Sequence, residues 1–118
     1  MKRFLFGATF LLGCVANIAA AQKTSEGYVT TPDGAKLFYR IAGNAPDTII
    51  AIHGRPGVDL ESIAGDFMVL AKKHTVIFYD QRCAGRSTLP TDLSPLHNKQ
   101  QVLDLHPVTV QSKLRLVT

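Results

Sequence analysis

The stretch Thr48-Ile49-Ile50-Ala51-Ile52 is a continuous apolar run without polar alternation, and it ends in the loop His53-Gly54-Arg55-Pro56-Gly57. Runs of this kind are buried on both faces, which predicts an interior strand of an α/β sheet. From Leu60 the period changes. Leu60, Ile63, Ala64, Phe67, Leu70 and Ala71 fall at i, i+3, i+4, i+7, i+10 and i+11, the stripe of an amphipathic helix. Asp59 is placed to cap that helix, Glu61 suits its positive end, and Lys72 and Lys73 suit its negative end. Gly65 lies inside it, at a cost of about 1 kcal/mol relative to alanine. Thr75-Val76-Ile77-Phe78-Tyr79 is a second unbroken apolar run. Strand, helix and strand in this order predict a βαβ unit, and so a sheet that is at least partly parallel.

Upstream, Tyr28 to Thr31 and Ala35 to Ile41 are rich in β-branched and aromatic residues and flank Pro32-Asp33-Gly34. Asp-Gly between two such runs predicts an antiparallel hairpin. Residues 22–27 are polar and read as a flexible N-terminal segment. After Asp80 the chain is a glycine- and proline-bearing loop up to Pro95. His97 to Leu105 has helical character that Pro107 should interrupt, and Leu114-Arg115-Leu116-Val117-Thr118 has strand character. The expected fold class is α/β, a hairpin followed by a βαβ unit, in a partial domain over residues 28–118.

The first 21 residues read differently. Lys2 and Arg3 precede a mostly apolar Phe4 to Ile18, and Ala19-Ala20-Ala21 supplies an A-x-A site before Gln22. This is the three-part pattern of a secretory signal peptide cleaved after Ala21, which implies export to the periplasm or beyond. Leu11-Leu12-Gly13-Cys14 offers a weaker alternative, a lipidated Cys14 at the mature N-terminus. Removing 21 of 118 residues leaves 97, with 11 basic against 9 acidic residues. The mature charge of +2 takes away the electrostatic case for nucleic acid that the whole chain's +4 offers. It also leaves Cys83 as the one cysteine, so no intrachain disulfide is expected, and burial is the commoner state for such a residue.

Two loops follow predicted buried strands, where open α/β sheets bind their ligands. In His53-Gly54-Arg55-Pro56-Gly57 the glycines around Pro56 permit a tight turn whose backbone N–H groups can hold an oxyanion; an ordinary βα turn has the same composition. In Asp80-Gln81-Arg82-Cys83-Ala84-Gly85-Arg86-Ser87, Asp80 and Arg82 are expected to pair across the turn, with Gly85 supplying a positive φ. No Cys-x-x-Cys, His-Glu-x-x-His or phosphate-binding glycine motif occurs, so neither a metal nor another cofactor is expected.

Taken together, the two loops resemble those of the α/β-hydrolase fold, most closely its proline iminopeptidase-like branch. That branch carries a His-Gly-Gly-Pro-Gly loop, a helix, and a strand ending in Tyr-Asp-Gln-Arg-Gly-x-Gly-x-Ser. His53-Gly54, Pro56-Gly57, Tyr79-Asp80-Gln81-Arg82, Gly85 and Ser87 match it, over a region running from Tyr28 to about Leu89. The resemblance implies amide or ester hydrolysis through an acyl-enzyme, acting on a small peptide or ester substrate. It implies that the backbone N–H of Arg55 serves the oxyanion hole, and that Asp80, Arg82, Gly85 and Ser87 form a structural loop outside the triad. It also implies that Arg55–Pro56 is a candidate cis bond. Arg55 and Cys83 stand where the branch has glycine, so the acyl pocket is crowded at the first and the turn strained at the second.

The branch places its nucleophile in a Gly-x-Ser-x-Gly elbow. Ser25, Ser62, Ser87, Ser94 and Ser112 are all outside such a context, and His97 and His106 precede the position of the family's general base. The expectation is the N-terminal portion of an exported serine hydrolase, without the triad and inactive by itself. The competing expectations are a non-catalytic exported module that self-associates through exposed sheet edges, and the product of a truncated or frameshifted gene.

Overall fold

The computed structural model describes residues 22–54, 57–88 and 98–116, with side chains over 99–111 in the last segment. The expected leader, residues 1–21, therefore lies outside the described residues. The chain opens with β1 (Thr24–Thr30) and β2 (Lys36–Ala42), which pair antiparallel from Thr24↔Ala42 to Thr30↔Lys36. The turn between them is built by Thr31, whose hydroxyl donates to Asp33 Oδ1 at 2.6 Å and accepts from the Ala35 N–H at 3.0 Å. Gly34 takes φ 87° there. β1 begins four residues before the predicted run, so Thr24 to Gly27 of the supposedly flexible segment are strand. Pairing with β2 satisfies their backbone whatever the polarity of their side chains. Gly27 faces Tyr39 across the ladder, and a Cβ there would sit 2.8 Å from the Tyr39 hydroxyl.

β3 (Thr48–Ile52) and β4 (Thr75–Tyr79) pair in parallel, and β4 also pairs antiparallel with β2. The described strands thus lie in the order β1-β2-β4-β3. Between β3 and β4 run α1 (Glu61–Phe67) and a 3₁₀ turn over Met68–Lys72. The strand after the helix is the interior one, buried at all five residues. β3 is an edge of the described sheet, with Ile52 47% exposed, which corrects the expectation of an interior strand. An apolar run reports what a strand is made to contact; lateral order is set by the topology.

Period-2 alternation sends the strands' side chains to two cores. Phe38, Ala42, Ala51, Val76 and Phe78 meet Leu60, Ala64 and Ala71 on the α1 side. Val29, Leu37, Tyr39, Ile41, Ile77 and Tyr79 meet Val108 on the other. Val108 belongs to α2 (Asn98–Leu116), a helix that contacts β1 and β2. The predicted α1 stripe is largely inward, except that Phe67 is exposed. Arg40 pins the start of α1 to the sheet, donating to both oxygens of Glu61 at 2.6 and 3.0 Å and to Glu26 at 2.7 Å. Hydrogen bonding from Arg40 is the main reason the Glu61 carboxyl sits below its usual range.

Two C-terminal expectations are corrected. Pro107 lies within α2, and residues 114–116 are helical rather than extended. Leucine and arginine favour a helix, and so short a run does not discriminate by period. At Pro107 the N–H that would donate to the Leu103 carbonyl is missing; two residues on, the Thr109 hydroxyl donates to the carbonyls of Leu105 at 3.0 Å and His106 at 2.8 Å. Among the described residues, no helix is long and apolar enough to cross a membrane.

Candidate functional site

Because β3 and β4 are parallel neighbours, the two motif loops leave the sheet side by side at its carboxyl edge. They are stitched together there. His53, buried, presents Nδ1 to the Gly54 carbonyl at 2.9 Å and accepts the Gln81 N–H at Nε2 at 3.0 Å. An accepting Nε2 leaves the ring proton on Nδ1, so both nitrogens are engaged. The Gln81 side chain returns to the other loop and donates to the His53 carbonyl at 2.5 Å. His53 holds two loops in register and presents no free base.

Asp80 is 2% exposed and is satisfied by backbone donors. Its carboxylate accepts the Leu60 N–H at 2.7 Å and the Arg86 N–H at 2.8 Å. The first bond places an anion at the start of α1, beside the predicted cap Asp59, whose own carboxylate accepts the Glu61 N–H at 3.1 Å. The second requires the loop to close tightly over the carboxylate. Gly85 has φ 48°, and a Cβ there would overlap the Asp80 oxygens. Ser87 ties the same loop to β2, its hydroxyl donating to the Asp80 carbonyl at 2.6 Å and accepting the Phe38 N–H at 2.9 Å. A hydroxyl so committed bridges backbone, which is a structural role.

The expected pairing of Asp80 with Arg82 does not form. Arg82 turns to the opposite side of the sheet and meets Asp104 and Asp33. Nε and one terminal nitrogen donate to the two Asp104 oxygens, each at 2.8 Å. The terminal nitrogens also reach the two Asp33 oxygens at 2.7 and 2.8 Å. These hydrogen bonds, Asp104's first, raise the already high pKa of the guanidinium. The bond from Arg82 holds the Asp33 carboxyl well below the usual carboxylate range.

Between the loops lies an open cleft of about 430 Å³, lined by Gly57, Asp59, Glu61, Ser62, Cys83 and Gly85 among others. Cys83 is a half-buried free thiol at φ 63°. That is the left-handed region, unfavourable for a residue with a Cβ, at the position where the resembling branch has glycine. Gly57 enters the cleft at φ 90°. Arg55 and Pro56 lie outside the described residues, and so do the Arg55 oxyanion donor and the Arg55–Pro56 peptide. Among the described residues no three His, Cys, Asp or Glu side chains are grouped to hold a metal ion.

This geometry, a mixed sheet with two loops meeting at its carboxyl edge, has close counterparts. Over 69 residues the chain is 36% identical to a proline iminopeptidase of Heyndrickxia coagulans, an alignment covering 58% of this chain and 24% of that enzyme. A crystal structure of a hydrolase from Pseudomonas aeruginosa superposes with a TM-score of 0.63 at 25% identity, covering 82% of this chain and 34% of that one. The chain has the α/β-hydrolase fold. A bromoperoxidase from Bacillus anthracis shares the fold at a TM-score of 0.65 and 23% identity, over 75% of this chain and 32% of its own. No protein-family model matches. The hydrolase-fold chain thus spans about a quarter to a third of the length of these relatives, and corresponds to the N-terminal part of their fold.

Of the residues singled out in the sequence, the structure brings together His53, Gly54, Gly57, Asp80, Gly85 and Ser87, and sends Arg82 elsewhere. Gln81 escaped notice as the link between the loops, although it lay within the matching motif. Asp104 carried no signal at all, since nothing local distinguishes a buried carboxylate on a helix from an exposed one.

Proposed function

We propose that this hydrolase-fold chain forms the oxyanion-loop portion of an exported serine hydrolase similar to proline iminopeptidases. The reaction is cleavage of an amide or ester of a small substrate. The observation that carries this reading is the juncture of His53–Gly57 with Asp80–Ser87. Backbone and side-chain bonds from Gln81 and Asp80 fix the first loop's entry and exit. A loop held at both ends is what preorganised N–H donors require, since they must not reorganise as charge develops on the substrate oxygen. Arg55 would contribute its main-chain N–H, with its side chain narrowing the acyl pocket.

The reaction further needs a nucleophile, a base and an orienting acid. The 118 residues contain no Gly-x-Ser-x-Gly. Ser87 is engaged in bridging backbone, and His53 in holding the loops. These 118 residues are therefore proposed to be inactive by themselves. Export rests on the 1–21 leader, with cleavage after Ala21 preferred to lipidation of Cys14.

The test is an assay of the purified chain on p-nitrophenyl esters and proline amides. Negligible turnover, unchanged in Ser87→Ala, is expected. Robust turnover abolished by Ser87→Ala would overturn the reading. The nucleotide sequence following the Thr118 codon checks the family assignment independently, because a Gly-x-Ser-x-Gly in any frame supplies the nucleophile elbow. Recovery of a periplasmic species beginning at Gln22 checks export.

A further inference from the structure

The two faces of the sheet are covered by very different means. On one, α1 and the following turn bury Leu60, Ala64 and Ala71 outright, with Ile63, Met68 and Leu70 packed beside them. On the other, the described part of α2 contributes Val108, fully buried, and Leu105, partly so. Val102, Leu103 and Val110 of the same helix are 65%, 54% and 45% exposed. What α2 does bury completely besides Val108 is a charge. Asp104 is 2% exposed, and Gln100 one turn earlier donates to its Oδ1 at 3.1 Å and helps fix its orientation. Its partner Arg82 belongs to the loop after β4, with both side chains 3% exposed or less.

We infer that α2 is a latched strap, held on the sheet chiefly by the buried Arg82–Asp104 pair, and that it releases as a unit and in doing so loosens the Cys83 loop. The chemistry of the pair makes it a latch. A bidentate guanidinium–carboxylate contact is directional and short-ranged, so it is either closed or open. When it opens inside a dry site, both ions must be rehydrated, which requires the helix to move away rather than shift slightly. Among the described side chains of α2 the apolar seam is Val108 and Leu105, too narrow to do much to oppose that movement.

Connectivity carries the release into the cleft. Arg82 immediately precedes Cys83, whose φ of 63° persists only while its surroundings enforce it. The other half of the guanidinium is bound to Asp33 in the β1–β2 turn. Arg82 thus joins three segments, and freeing α2 removes half of the guanidinium's hold on the loop that lines the cleft. Release also uncovers the face carrying Tyr39 and Tyr79.

Hydrogen exchange read by mass spectrometry on the full chain tests this, with Asp104→Asn and Val108→Ala as variants. In Asp104→Asn, amides of residues 99–111 should exchange at least about tenfold faster, while those of 75–79 change by less than about threefold. The peptide containing Cys83 should be alkylated several times faster by N-ethylmaleimide. Val108→Ala should have the smaller effect on α2. Equal acceleration in α2 and β4, an unaffected α2, or a larger effect from Val108→Ala would each overturn the inference. Should Asp104→Asn fail to fold, the unsubstituted chain in sub-denaturing urea decides the matter. There α2 should open before β4, and a common opening refutes the strap.

Discussion

Asp80 and Arg82 stand two residues apart in one loop, both buried and oppositely charged, yet they do not meet. The carboxylate is satisfied by backbone N–H groups of Leu60 and Arg86, which come from the start of α1 and from its own loop. The guanidinium is neutralised by two other carboxylates, one in the hairpin turn and one on α2. The difference teaches how a short motif does two jobs. A carboxylate accepting backbone donors organises what is near it and shapes the cleft. A planar cation with five donors reaches in two directions and ties distant segments together.

Breaking the cationic side should have the largest effect. Arg82→Met leaves Asp104 buried without its counter-charge, and a loss of about 3–5 kcal/mol is expected in urea denaturation. A loss below about 1 kcal/mol would mean that the pair is not dry. Next, Tyr79 on the α2 face reports how well that face stays covered. Burial first, and the Asp104 charge second, push its phenol up to about 12. A folded-state value above the unfolded one near 10 leaves stability intact below pH 10 and erodes it as pH rises toward 12. The loss is on the order of 2–3 kcal/mol, and Tyr79→Phe should abolish that part of the pH dependence.

The anionic side is sharpened by Gly85→Ala. A Cβ there would collide with the Asp80 carboxylate at a backbone angle that already disfavours side chains, so about 1–3 kcal/mol should be lost. An unchanged thermal midpoint would show that the loop does not close on Asp80 as described. The smallest effect has the opposite sign. Cys83→Gly relieves a left-handed non-glycine residue and should stabilise by about 0.5–1 kcal/mol, after the entropy glycine loses on folding is deducted. Destabilisation would instead show that the thiol packs usefully.

Much of the fold was legible because it depends on local pattern. The hairpin follows from Asp33-Gly34 between two β-rich runs, the βαβ unit from a period that switches between apolar runs. β1 was read four residues short because polar side chains hid a backbone that pairs perfectly well. At the C-terminus the pattern predicts a helix over 97–105, a stop at Pro107 and a strand from Leu114, because proline lacks an N–H and Leu114-Arg115-Leu116 is too short to show a period; one helix runs through all three. In the site, the composition of the two loops was legible and their bonding was not. Asp80 and Arg82 looked like a pair because sequence shows only proximity along the chain.

What the sequence determined by itself is the apolar period that makes Thr48–Ile52 and Thr75–Tyr79 strands around a helix, and the α/β-hydrolase loops that the segments after them resemble. Only the tertiary structure decided that β4 is interior and β3 an edge, that Asp80 serves Leu60, and that Arg82 serves Asp33 and Asp104. Periodicity is a property of neighbouring residues. The partner of a buried charge is chosen among groups up to 49 residues away, by which of them the packed sheet brings within hydrogen-bond reach.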